Sequence, residues 1–287
     1  MNSLFLRLKK KLVQSTLVLD LLGLVGKELQ PDKWVFILGC YNSGTTLLNK
    51  ILSTHPEIGG LPAEGIALTN HLVYPELFGW PRMWSECYDA MLKRNATLTE
   101  KDAKKIKKQW SHWYESDKSV LVEKSISDVT RIPFIQDNFT PAYFIIVRRN
   151  GYAVAEGIRR RADLQKWGNT VYEKSYPISL CAKQWLNTYK VIEEYKSNLN
   201  YLELSYEEFT SEPQKVLNQI TCFLDISPFN DGILERKWSF QEITGGIKNL
   251  NGRSLKNLSE KEKQMIHDEA GDLLKRWDYD AITEDNS

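Results

Sequence analysis

The sequence predicts an α/β protein with a three-layer, P-loop-like fold, in which helices flank both faces of a central parallel sheet. Three observations point there. Short runs rich in β-branched and aromatic residues alternate with longer stretches of helical periodicity, the pattern of parallel strands joined by helical crossovers. The first of these runs ends in a glycine-spaced turn that leads straight into a helix. No internal repeat, low-complexity tract or linker interrupts the 287 residues, so a single domain over residues 1–287 is expected.

Taken in order, residues 1–30 read as an N-terminal helical segment. Its first 26 residues set Arg7, Lys9, Lys10 and Lys11 against Leu4, Phe5, Leu8, Leu12 and Leu17 in an amphipathic pattern. Such a helix either packs on the domain or a partner subunit, or makes peripheral contact with a membrane. The apolar run 17–25 contains Asp20. It is far shorter than the roughly 20 residues that span a bilayer, so no transmembrane segment is expected. It also lacks a signal-type cleavage site.

After Pro31, residues 34–38 form a buried strand by length and composition, 39–44 a tight loop, and Leu47, Leu48, Ile51 and Leu52 mark a helix. Residues 120–122, 143–147 and 201–204 supply further strands, with helices at 177–197 and 213–224. Residues 60–118 have little β character and many aromatics, and are expected to be helices inserted over the carboxyl edge of the sheet. Within them Trp80, Trp84 and Tyr88 recur at helical spacing, which fits a helical core or an aromatic wall.

Composition narrows the function. Hydrophobic residues make up 42% and aromatics 11% of the chain, ample for a core. Thirty-eight basic against thirty-seven acidic residues leave a net charge of +1, so no nucleic-acid partner is expected and any anion site must be local. Cys40, Cys87, Cys181 and Cys222 are scattered and form no CxxC pair. They read as reduced thiols, and the chain as cytoplasmic.

The segment Gly39-Cys40-Tyr41-Asn42-Ser43-Gly44-Thr45-Thr46 has G-x-x-x-x-G spacing. Glycines in that arrangement let backbone N–H groups surround phosphate oxygens at a helix N-terminus. The same spacing also fits a plain strand-to-helix turn. Thr45 stands where a nucleoside triphosphatase carries its lysine, which disfavours ATP or GTP hydrolysis while keeping the anion cradle.

The continuation resembles a known family. Ser43-Gly44-Thr45-Thr46-Leu47-Leu48 with Ile51, Leu52, His55 and Pro56 is similar to the 5′-phosphosulfate loop of the sulfotransferases that use 3′-phosphoadenosine-5′-phosphosulfate (PAPS), in the branch of tyrosylprotein, carbohydrate and bacterial enzymes. Glu123-Lys124-Ser125 with Arg131 resembles the family's EK(S/T)P…R element. Ile146 to Val154 resembles its 3′-phosphate segment, and Tyr206-Glu207-Glu208-Phe209 with Pro213 and Cys222-Phe223-Leu224 its YEDL…P…FLG stretch. A vaguer likeness covers Asn251 to Ser254.

The resemblance implies a sulfotransferase that uses PAPS, leaves PAP and requires no metal. It places Asn42, Ser43, Gly44, Thr45 and Thr46 on the 5′-phosphosulfate, Arg149 on the 3′-phosphate, and Arg253 and Ser254 on the nucleotide. Thr45 and Thr46 also suit a helix cap. Lys124 would face the sulfuryl group, although a lysine at a strand end is also commonly just solvated. Glu64 would deprotonate the acceptor, or else cap a helix beginning near Ile66. His71, seven residues on, is the substitute base or a half-buried helix histidine.

Two positions depart from the family pattern. Asn42 replaces the basic residue that precedes the loop serine, and Gly157 replaces a serine eight residues after Arg149. The contact of that serine with the cofactor is then missing, or made by the backbone N–H at Gly157, a water, or one of Arg159, Arg160 and Arg161, of which Arg159 is the expected helper. The expected acceptor is a small molecule bound against residues 60–118, with glycan and tyrosine acceptors open. A nucleotide kinase-like enzyme and a non-catalytic PAPS- or PAP-binding protein are the competing readings.

Overall fold

A computed structural model describes residues 15–115, 117–230, 232–240 and 243–279. The basic cluster Arg7 to Lys11, and Leu4, Phe5, Leu8 and Leu12 of the expected amphipathic helix, lie outside the described residues. Within them, α1 (Thr16–Val25) packs on the domain. Gln109 donates to the carbonyl of Leu19 at 2.9 Å, and a ring nitrogen of His112 lies 3.0 Å from the carbonyl of Leu22. Among the described residues no helix is long and apolar enough to cross a membrane.

The sheet follows from the predicted alternation. Five strands, β1 (Lys33–Gly39), β2 (Ile58–Gly60), β3 (Val120–Glu123), β4 (Ala142–Arg148) and β5 (Tyr201–Ser205), run in the order β2-β3-β1-β4-β5. All four pairings are parallel, with Phe36 opposite both Glu123 and Phe144. Side chains of a strand alternate between faces, and both faces here are apolar. Trp34, Phe36 and Leu38 enter one core layer with Phe144 and Ile146. Val35 and Ile37 enter the other with Ile145 and Val147.

Helices cover the two layers. One layer holds α2 (Thr45–Leu52), α8 (Tyr206–Ser211) and α9 (Pro213–Leu224). The other holds α5 (Ile132–Asn138), α6 (Gly151–Arg161), α7 (Ile178–Lys196) and α11 (Glu260–Arg276), with α10 (Asn251–Leu255) packed on α6. Trp34 is fully buried, its ring 5.1 Å from Phe139 in an edge-on contact.

Residues 60–118 carry the helices α3 (Tyr88–Asn95) and α4 (Glu100–Trp110), with α4 opened by a capping box of Thr99 and Asp102. The stretch before α3 differs from the helical expectation. It is a series of short 3-10 turns, Gly65–Leu68, Pro75–Phe78 and Trp84–Cys87, because Pro62, Pro75 and Pro81 break any longer helix. Trp84 and Tyr88 still meet, 5.2 Å apart, whereas Trp80 stacks on Tyr176 across the fold. Strand β2 and the antiparallel pair β6 (Trp238–Phe240) and β7 (Ile243–Gly245) were not anticipated.

Candidate active site

Strand β1 lies between β3 and β4, although β2 precedes β3 in sequence, so the connections diverge at the carboxyl end of β1. That is where open parallel sheets bind ligands. The segments following β1, β3, β4 and β5 all reach one cavity there, which Asn42, Lys124, Arg149 and Tyr206 help to line.

The loop after β1 ends at Gly44, whose φ of +86° lies in the left-handed region and which precedes α2 as its N-cap. A Cβ at Gly44 would come within 2.5 Å of the Tyr206 ring, so only glycine fits. No side chain caps α2. Its first N–H groups have no intrahelical partner and sit beside the cavity lined by Gly44, Thr45 and Thr46, an anion-binding geometry.

Five arginines line the same space: Arg82, Arg149, Arg160, Arg161 and Arg253. Arg149 is buried over the Tyr206 ring at 4.0 Å, and burial lowers its pKa. It donates to Asn251 Oδ1 at 2.8 Å and to the carbonyl of Asn42. Arg161 is pushed down to about 10, first by burial and then by crowding from Arg160, Arg82, Arg149 and Arg253. A self-repelling cluster of this kind is complementary to a ligand carrying several negative charges.

Opposite the arginines, the end of β3 fixes the loop that carries Glu64. Glu123 Oε1 accepts the N–H of Gly65 at 2.7 Å and the Ser125 hydroxyl at 2.5 Å. Ser125 in turn accepts the N–H of Ile66 at 3.1 Å. Between these two anchors Lys124 donates from Nζ to Glu64 Oε1. Glu64 makes no side-chain cap to the turn that follows it. Strand alternation explains the division of labour, with Glu123 and Ser125 gripping backbone and Lys124 reaching into the cavity.

Asn42 and Gly157 are neighbours. Asn42 has a φ of +61°, which asparagine tolerates better than lysine or arginine do. A Cβ at Gly157 would lie 2.9 Å from Asn42 Cγ and Nδ2. The Nδ2 group is buried without a hydrogen-bond partner, and Oδ1 is 3.4 Å from Arg82. The two departures from the family pattern therefore occupy one space. Arg82 brings a positive charge beside Asn42 from residues 60–118.

Arg253 and Ser254, on α10, line the cavity as well. His71 does not. Its Nδ1 pairs with Asp102 at 2.9 Å, because the chain after Leu68 leaves the 3-10 turn for extended backbone and the helical spacing from Glu64 is lost. Arg159 turns to Glu262 instead of the cavity. Positions 153, 157, 160 and 161 share the cavity face of α6, so Arg160 and Arg161 take that place. Arg131 is a buried strut, donating to the carbonyl of Val73 at 2.6 Å and to Ser127.

Tyr41 and Arg82, not singled out from the sequence, also line the site, together with Glu76, which the sequence marks with Glu86 and Asp89 as a carboxylate near the acceptor. Tyr41 lies within the recognised loop, which is the one signal that could have found it. Burial raises the pKa of Glu76, whose Oε1 accepts the N–H of Arg82 at 3.2 Å. Among the described residues no group of three or more His, Cys, Asp and Glu side chains could hold a metal ion.

Comparison with known proteins bears on this arrangement. The sequence model of a family described as "Sulfotransferase family" matches residues 35–231. An uncharacterized protein of Aquifex aeolicus strain VF5 is 26% identical over 223 residues, which is 74% of this chain and 28% of that protein's length. The chain thus spans under a third of that relative. Among solved structures, the sulfotransferase domain of the Synechococcus PCC 7002 olefin synthase superposes with a TM-score of 0.56 at 20% identity, over 89% of this chain and 98% of that domain. A mouse sulfotransferase, SULT7A1, complexed with PAP superposes with a TM-score of 0.50 at 14% identity, over 90% and 94% of the two chains. These likenesses show a shared fold.

Proposed function

This chain belongs to the sulfotransferase family, and we propose that it moves a sulfuryl group from PAPS to a hydroxyl or amine of a small-molecule acceptor by in-line displacement. The observation that carries the proposal is one cavity walled by the uncapped N-terminus of α2, five arginines and the Lys124–Glu64 pair. Those parts suit a donor with phosphate at two places and a proton to be removed between them.

In this reading the N–H groups opening α2, with the hydroxyls of Thr45 and Thr46, hold the 5′-phosphosulfate. Arg149 takes the 3′-phosphate, with Arg253 and Ser254 at the nucleotide, and the Tyr206 ring supports the Arg149 guanidinium. Gly157 contributes space for Asn42 and no side chain to the ligand. The Glu64 carboxylate accepts the acceptor's proton as the new bond to sulfur forms. The bond between sulfur and the bridging oxygen breaks, and its electron pair passes to the departing phosphate of PAP. Lys124 follows that charge from the sulfuryl side. The reaction so written calls on no metal.

Positioning and electrostatics supply most of the acceleration in such transfers. Arg82, beside Asn42, supplies positive charge where the loop itself has a neutral amide. An interaction of this type contributes on the order of 3 kcal/mol to the transition state. Glu64 and Lys124 hold each other in reach of the same reacting atoms, and Glu123 positions both through the Gly65 backbone.

Calorimetry with PAP and with ATP–Mg²⁺ tests the donor assignment. PAP is expected to bind and ATP–Mg²⁺ not to compete with it. Binding of ATP–Mg²⁺ with no binding of PAP would instead favour a kinase-like enzyme.

A further inference from the structure

We infer that the acceptor is a neutral alcohol with an elongated apolar body, held in a second cavity that opens off the anion site. The inference rests on the sulfuryl-transfer reading above, because it needs Glu64 as the place where the acceptor hydroxyl arrives.

The second cavity has a volume of about 890 Å³. That lies within the roughly 300–1,000 Å³ usual for small-molecule sites. Tyr41, Glu64, Glu76 and Ile126 line both this cavity and the anion cavity, so the two meet at the proposed base. Away from that junction the wall is built from Ile66, Leu68, Leu72, Leu77, Trp113 and Trp167.

Thr69, Asn70 and Ser127, polar residues of that wall, are already engaged with protein partners. The Thr69 hydroxyl donates to Gln109 Oε1 at 2.5 Å, and Asn70 donates to Asp20 at 2.9 Å while accepting from Gln109 at 2.8 Å. A glycan entering here would give up water at many hydroxyls and find few partners in return, which disfavours it strongly. An alkyl or other apolar body loses nothing by entering and removes apolar wall from water.

Charge at the junction narrows the head group. Two carboxyls, Glu64 and Glu76, repel an anionic head, and a cationic one has to compete with the Lys124 ammonium already paired with Glu64. A neutral hydroxyl meets neither objection. The sulfate ester it becomes is an anion facing Glu76, which favours its departure.

The test uses the full chain with ³⁵S-PAPS and straight-chain primary alcohols of increasing length, alongside an oligosaccharide and a tyrosine-containing peptide. The expected kcat/KM rises about fourfold per added methylene until the cavity is filled. The oligosaccharide and peptide are expected to fall at least about a hundredfold below the best alcohol. Turnover that is independent of alcohol length, preference for either polar acceptor, or PAP binding without sulfation of any alcohol would overturn the inference. Failure of PAP to bind would count against the sulfuryl-transfer reading itself.

A wall variant adds a separate readout. Ala67 lines the cavity at an exposed position, so Ala67→Trp is expected to lower kcat/KM for the longest alcohols more than tenfold while leaving PAP affinity and the shortest alcohols unchanged. Equal loss across all chain lengths, with PAP affinity kept, would place the apolar body elsewhere.

Discussion

Replacing Gly157 by alanine introduces a Cβ 2.9 Å from Asn42 Cγ and Nδ2 and 3.1 Å from its Cβ. Asn42 has little room to yield. Its backbone is in the left-handed region, its carbonyl accepts from Arg149, and its side chain lies between α6 and Arg82. Overpacking of this kind costs about 1–3 kcal/mol. Against it stands the gain of about 0.5–1 kcal/mol expected when alanine replaces glycine inside a helix. Gly157→Ala alone should therefore range from neutral to about 2.5 kcal/mol destabilising. In an Asn42→Gly background, which keeps the left-handed backbone and empties the space, the same change should stabilise. The double-mutant cycle, read by urea midpoints at constant m-value, should give a coupling of about 1–3 kcal/mol. Additivity within about 0.5 kcal/mol would refute the claim that Asn42 and Gly157 occupy one space.

Three further outcomes are expected. Glu123→Ala leaves the Gly65 N–H and the Ser125 hydroxyl without their acceptor, a stability loss of about 2–5 kcal/mol. Displacement of Glu64 should also lower kcat about a hundredfold with PAP affinity kept, and Glu123→Gln, which retains an acceptor oxygen, should recover much of it. An unchanged kcat in Glu123→Ala would remove the positioning role. Arg82→Ala should lower kcat about a hundredfold, with partial recovery in Arg82→Lys; no change would leave the leaving-group charge to Lys124 alone. Burial raises the pKa of Glu76 in the folded state. The folded protein thus holds that proton more tightly than the unfolded chain, so the contribution is present below the ordinary carboxylate range and lost as pH rises through the raised value. Urea midpoints of wild type and Glu76→Gln should converge in acid and separate with rising pH, Glu76→Gln being the more stable at neutral pH; parallel curves would contradict the assignment.

Much of this fold is written in local pattern. The runs that became β1, β3, β4 and β5 are short, apolar and bounded by turn residues, so composition alone marks them as buried strands. Strand β2 is Ile58-Gly59-Gly60, where two glycines carry no side-chain pattern to read. The loop from Gly39 to Thr46 was legible because backbone N–H binding requires glycine at fixed spacing. Arg82 was not legible, since only the fold brings it to Asn42, forty residues away in sequence. His71 and Arg159 show the opposite difficulty. Both have suitable chemistry, but a 3-10 turn that does not continue and a helical rotation of one position direct them to Asp102 and Glu262. The link between Asn42 and Gly157 became visible only when the loop and α6 could be seen side by side.

Transfer of ³⁵S from PAPS to an alcohol, measured together with PAP calorimetry on wild type, Lys124→Ala and Glu64→Gln, tests the proposed chemistry most directly. All three proteins are expected to bind PAP with similar affinity. Labelled product is expected from wild type, with turnover reduced about a hundredfold or more in each variant. Wild-type rates in either variant would contradict the role given to that side chain. PAP binding with no label transferred by wild type to any acceptor would make this chain a binder of the nucleotide and not the catalyst of its sulfuryl transfer.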